Sequence, residues 1–146
     1  MTEKNTLTKV TLEDSKVTEL MDGVAHLESL MEVSVDAQNI EEVAHQLMKG
    51  SELLHVCGRL MEIAVKNVNL ARGRGTFMIV TDMRTAKLPP TVQQKIVEGA
   101  IAEYLGHHAR AERGVKNLVH YLDNLRTIIS KNKEQMRLES FGQPTS

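Results

Sequence analysis

The stretch TVQQKIVEGAIAEYLGHHARAERGVKNLVHYLDNLRTIISKNKEQMRL, residues 91–138, decides the fold. Within it Val97, Ile101, Tyr104, His108, Ala111, Val115, Leu118, Leu122, Leu125, Ile129, Asn132 and Met136 recur at alternating steps of four and three. Such spacing keeps one side of an α-helix facing a partner, and only His108 and Asn132 interrupt its apolar character. Pro89-Pro90 before Thr91, with Gln94 three residues on, marks a helix start. Read as one rod, the stretch would be about 70 Å long. Leu105, Val119, Tyr121 and Ile128 widen the stripe beyond what a two-stranded coiled coil needs. The expected fold is an all-α helical hairpin and bundle around this helix.

Working outward, Asn39 with Glu42 reads as a capping box opening a second helix over residues 39–72. Ile40, Val43, Ala44, Leu47, Leu54, Cys57, Met61, Ala64 and Val68 hold its apolar spacing, and Gly73 and Gly75 are expected to end it. An acidic amphipathic helix is expected over residues 15–35, with Val17, Leu20, Met21, Val24, Leu27 and Met31 inward. Its outer face carries Glu19, Asp22, Glu28 and Glu32, and Gly23 weakens it enough that it needs packing to persist. Residues 73–90 read as a basic loop in which 76–81 have β propensity, a strand being left open. Residues 1–13 read as a flexible N-terminus and 139–146 as a tail.

A second helix of that length spans about 48 Å and leaves part of the long helix bare. An uncovered apolar stripe of that size marks an interface, so Val115, Leu118, Leu122, Leu125 and Ile129 are expected to join copies into a homo-oligomer. The 146 residues suit one domain. Cys57 stands alone, which fits a reducing compartment, and no apolar run approaches a membrane span or signal peptide. A cytoplasmic protein without membrane association is the expectation.

Charge is divided unevenly. Residues 1–48 hold three Lys/Arg against ten Asp/Glu, residues 49–146 fifteen against nine. The asymmetry suggests a polyanionic partner or head-to-tail self-association. Two basic zones stand out: Arg59, Lys66, Arg72, Arg74, Arg84 and Lys87 toward and through the loop, and Arg110, Arg113 and Lys116, with His120, on the outer face of the long helix. They are candidate phosphate contacts, with Gly73 and Gly75 letting backbone N–H groups approach closely. The same residues also fit a plain solvated surface. With only Phe77 among aromatic residues in a basic zone, single-stranded nucleic acid would be held mainly by charge rather than by stacking.

Chemistry is otherwise sparse. No His/His or His/Cys pair has metal-ligand spacing, so no metal is expected, and no nucleophile or nucleotide-binding motif is present, so neither an enzyme nor a cofactor is expected. Cys57 and Met48 and Met61 read as core.

The pattern His120-Tyr121-Leu122-Asp123-Asn124-Leu125-Arg126, preceded by Arg113-Gly114, resembles the C-terminal helix of the phage UvsY-type recombination mediators. These are small helical homo-oligomers that load recombinase onto single-stranded DNA. The resemblance implies a non-enzymatic accessory function, with Arg72, Arg74, Arg84 and Lys87 as loop contacts to DNA and the 115–129 seam as the assembly surface. An acidic first helix stands here where that family carries an aromatic-rich one. It would shield the basic surface or dock a protein partner. The competing expectation is a helical adaptor or inhibitor acting through protein–protein contacts or a small phosphorylated ligand, without nucleic acid.

Overall fold

The computed structural model describes residues 9–13 and 15–142. Among these the fold is all-α: α1 (Val17–Glu32), α2 (Ile40–Thr81), α3 (Pro90–Ala100) and α4 (Ala102–Gly142). The start of α2 follows the expected chemistry, Asn39 Oδ1 accepting from the Glu42 amide at 3.3 Å, with Glu41 and Glu42 in the positive first turn. Pro90 takes the first position of α3, one residue before the expected start. The amides of Val92 and Gln93 bond to the Pro89 carbonyl, and no side chain caps the helix.

Three helices make the bundle. α2 and α4 run antiparallel, Gly50 lying under Leu122 at one end and Gly75 beside Val97 and Ile101 at the other. α1 fills the groove between them, antiparallel to α2 and parallel to α4. It brings Gly23 to Leu60, and Val24 and Leu27 to Gly114. The main core joins Leu20, Val24 and Leu27 to Val43, Cys57, Leu60, Ile63, Leu118, Leu122 and Leu125. A smaller core at the hairpin end holds Val10, Ala71, Ile79, Val97, Ala100, Ile101 and Tyr104. Two buried polar side chains tie α1 in place: Gln46 donates to the Leu30 carbonyl at 2.8 Å and Asn67 donates to the Ser15 carbonyl.

The expected end of the second helix, residue 72, falls nine residues short. α2 continues through Gly73 and Gly75 to Thr81, so residues 76–81 are helical and the basic loop shrinks to residues 82–89. Two glycines cost about 1 kcal/mol each relative to alanine. That deficit is offset because Gly75 is buried at the crossing with α3, where a Cβ would sit 3.3 Å from Val97 and 3.5 Å from Val10, while Ile79 enters the smaller core. Tertiary packing overrides the β propensity of this stretch.

The expected single rod is likewise two helices. At Ile101 (φ −107°, ψ 12°) α3 ends and α4 begins, because the Tyr104 amide bonds to the Ile101 carbonyl at 3.0 Å. The Ala100 carbonyl instead accepts the Val10 amide at 2.8 Å. Residues 9–13, expected to be flexible, form a strap over this break: Lys9 pairs with Glu103 at 3.1 Å, the Leu12 amide donates to the Tyr104 hydroxyl at 2.9 Å, and Val10 is 2% exposed. The rest of the expected flexible N-terminus, residues 1–8, lies outside the described residues. At the other end α4 runs on to Gly142, so residues 139–142 of the expected tail are helix; 143–146 lie outside the described residues.

The extra turns of α2 remove the argument for an uncovered seam. α2 has 42 residues and α4 has 41, about 63 and 62 Å. Leu118, Leu122 and Leu125 are buried in the chain's own core, with Val115 and Ile129 packed against it. These five, expected to join copies, pack within one chain. The apolar positions of α4 still open to solvent are Val119 and, near its C-terminal end, Met136, Leu138 and Phe141.

Candidate nucleic-acid interface

Residues 66–98 fold into one end of the bundle: the last four turns of α2, the connection and α3. They hold six Lys/Arg (Lys66, Arg72, Arg74, Arg84, Lys87, Lys95) against two carboxylates, Asp82 and Glu98. The connection is tightly built. Asp82 caps α2, its amide reaching the Met78 carbonyl at 3.2 Å, while the Thr85 and Ala86 amides turn back onto the Asp82 carbonyl. The Thr85 hydroxyl donates to Ile79 at 2.7 Å. Gln93 on α3 donates its carboxamide N–H groups to the carbonyls of Thr85 and Ala86, at 2.9 and 3.1 Å.

The nine basic candidates do not form one surface. Arg59 is ion-paired with Glu19 and Arg110 with Glu28, both across to α1. The acidic first helix thus neutralises two of them inside the monomer. Lys116 pairs with Glu112 at 3.2 Å; with Arg113 it lines a shallow depression on α4, and Arg113 stands about 18 Å along the helix from the break at Ile101. At the tip, Arg84 engages Asp82 at 3.0 Å, and Arg74 donates to the Thr11 carbonyl of the strap at 2.7 Å. Lys66, Arg72, Lys87 and Lys95 have no carboxylate partner among the described residues. Lys95 was not among the expected contacts; its place on α3, packed beside α2, brings it in.

The expected use of Gly73 and Gly75 as a backbone phosphate cradle fails. Both lie inside α2, where their amides belong to the helix, and Gly75 is buried. What the tip offers is side-chain charge beside apolar surface: Phe77 is 67% exposed and Met83 83%, with Val80 and Val92 also open. Between α2 and α3 a cleft of about 260 Å³ opens, lined by Arg72, Thr76, Ile79, Val80, Pro90, Gln93, Gln94 and Val97. Of these only Arg72 is an expected phosphate contact. Thr76 and Gln93 carry no signal, and Gln94 only that of a helix start, until α2 is known to be helical at that point.

The local electrostatics are those of surface pairs, with Asp82 half-buried. Arg84, chiefly through its side-chain hydrogen bond, holds the Asp82 carboxyl below its ordinary range, and Arg59 does the same to Glu19. Burial pushes the Cys57 thiol up, in keeping with a core position. Among the described residues no group of three or more His, Cys, Asp or Glu could hold a metal ion, and no helix is long and apolar enough to cross a membrane. No protein-family model, curated protein or solved structure matches this chain.

Proposed function

We propose that this chain is a non-enzymatic nucleic-acid-binding accessory protein whose hairpin tip grips the phosphates of single-stranded DNA. The observation that carries this reading is the tip's six cations against two carboxylates, four of the cations with neither an ion pair nor a side-chain hydrogen bond among the described residues. Neutralising phosphates releases counterions, so such a surface binds any sequence and weakens steeply with salt. The resemblance of the 113–126 pattern to recombination mediators supports the same class. Self-association in this reading uses the exposed C-terminal turns of α4, at Met136, Leu138 and Phe141, because the 115–129 seam already packs within the chain.

Fluorescence anisotropy with a labelled oligonucleotide at low salt tests it. Expected is binding with a log–log salt slope near −3, from about four unpaired cations on a single strand. Reversing Arg72 and Lys87 to Glu abolishes it, whereas Arg113→Glu leaves most of it. Absence of binding, or affinity indifferent to salt, overturns the proposal.

One observation favours a protein-binding adaptor instead. The outer face of α2 carries a broad apolar depression of about 660 Å³ around Gly58, Met61, Val65 and Leu70. Under that reading Val65→Asp, and not the charge reversals, abolishes partner capture.

A further inference from the structure

We infer that the cleft between the end of α2 and α3 seats one unstacked nucleobase, with Arg72 on the adjoining phosphate; this rests on the single-strand reading above. Its floor is aliphatic, from Ile79 at 2% exposure and Val97 at 5%, with Pro90 closing one side. A site for a bare phosphate has no use for such a floor, since an anion gains nothing from aliphatic contact. A base has two apolar faces and a polar edge. The cleft meets both requirements: aliphatic surface within, and the Thr76 hydroxyl and Gln94 carboxamide at the open rim, each able to donate and to accept. These groups satisfy any base edge, which suits a sequence-tolerant protein.

Size and rigidity agree. At about 260 Å³ the cleft lies just below the ~300–1,000 Å³ of sites that bury a whole drug-sized ligand. It is held open before binding, because Gln93 fastens α3 to the connection through two carbonyls. Arg72, half-buried on the same wall and without a carboxylate partner among the described residues, supplies the fixed positive charge. An aliphatic slot thereby takes the place of the aromatic platforms on which single strands are usually stacked.

The test compares a thymidine oligonucleotide of about twelve residues with an abasic strand of equal length and charge, by anisotropy at low salt. The base-bearing strand is expected to bind roughly tenfold tighter. Thr76→Leu and Gln94→Leu, both at exposed positions, are expected to narrow that preference to about twofold by filling or blunting the cleft, with helical circular dichroism unchanged. A purely structural effect would weaken both strands alike and leave the ratio intact, which overturns the assignment. Equal affinity of the unaltered protein for the two strands also overturns it, while leaving the phosphate grip standing. If neither strand binds, the grip itself fails and the base seat falls with it.

Discussion

The amide of Val10 donates to the carbonyl of Ala100 at 2.8 Å, at the break between α3 and α4 where the Tyr104 amide has turned to Ile101 instead. An acceptor lost by the helix is satisfied from ninety residues away, and the side chain of Val10 enters the smaller core at the same point. The strap and the break therefore stabilise each other.

Val10→Ala is expected to cost about 1–3 kcal/mol, through lost burial and an incompletely closed cavity. Urea denaturation measures the total. Hydrogen exchange locates it: protection is lost first in α3 and the last turns of α2, with Leu118 and Leu122 amides least affected. Uniform loss along α4 would contradict a locally acting strap.

Two helical glycines, Gly73 in α2 and Gly23 in α1, are expected to respond oppositely to alanine. A Cβ at Gly73 meets nothing within 4 Å, so Gly73→Ala removes a poor helix former and adds about 0.5–1 kcal/mol. At Gly23 a Cβ would press into the whole end of the buried Leu60 side chain, and Gly23→Ala lowers stability by about 1–3 kcal/mol. Thermal melts decide both. No gain at Gly73 would argue against a helix through that residue.

Lys16 is the one described non-glycine residue at positive φ (51°), just ahead of α1. A left-handed conformation strains a residue with a Cβ by roughly 1–2 kcal/mol. Lys16→Gly is expected to raise the melting temperature, Lys16→Ala to leave it nearly unchanged. Equal effects would mean that charge rather than backbone strain matters there.

Acid should weaken the fold slightly and in a salt-dependent manner. The carboxyls of Glu19 and Asp82 are both lowered, chiefly by hydrogen bonds from Arg59 and Arg84. A lowered carboxyl contributes stability that is full above its unfolded value, near pH 4, and fades as pH falls through the folded value. Glu19 is exposed and Asp82 half-buried at the surface, so the loss is small and shrinks in high salt. Melting curves from about pH 5 to pH 3 should show it, and a Glu19→Gln, Asp82→Asn double variant should show less. The same acid sensitivity in the double variant would remove these two pairs from the account.

Much of the fold was legible in local patterns. The Asn39–Glu42 cap, the inward stripe of Leu20, Val24 and Leu27 and the 97–125 seam are repeated short-range signals, and all sit where their spacing placed them. The candidate site was legible only as composition: Arg72 and Lys87 were visible as charge, whereas Thr76, Gln94 and Lys95 acquired meaning once two helices were laid side by side. Arg59 and Arg110 read equally well as phosphate contacts until α1 was seen to reach them.

Amphipathic periodicity alone settled that the chain is helical and which sides face inward, since burying a stripe is a property of each helix separately. Where each helix stops was a different matter. Gly73, Gly75 and Gly99 all lower helix propensity by similar amounts, yet the chain remains helical through the first two and breaks close after the third. The difference lies in what packs there, α3 and Val10 closing on Gly75 and a distant amide claiming the carbonyl of Ala100. Those are long-range contacts, worth more than the local preferences they override, and no window of neighbouring residues contains them.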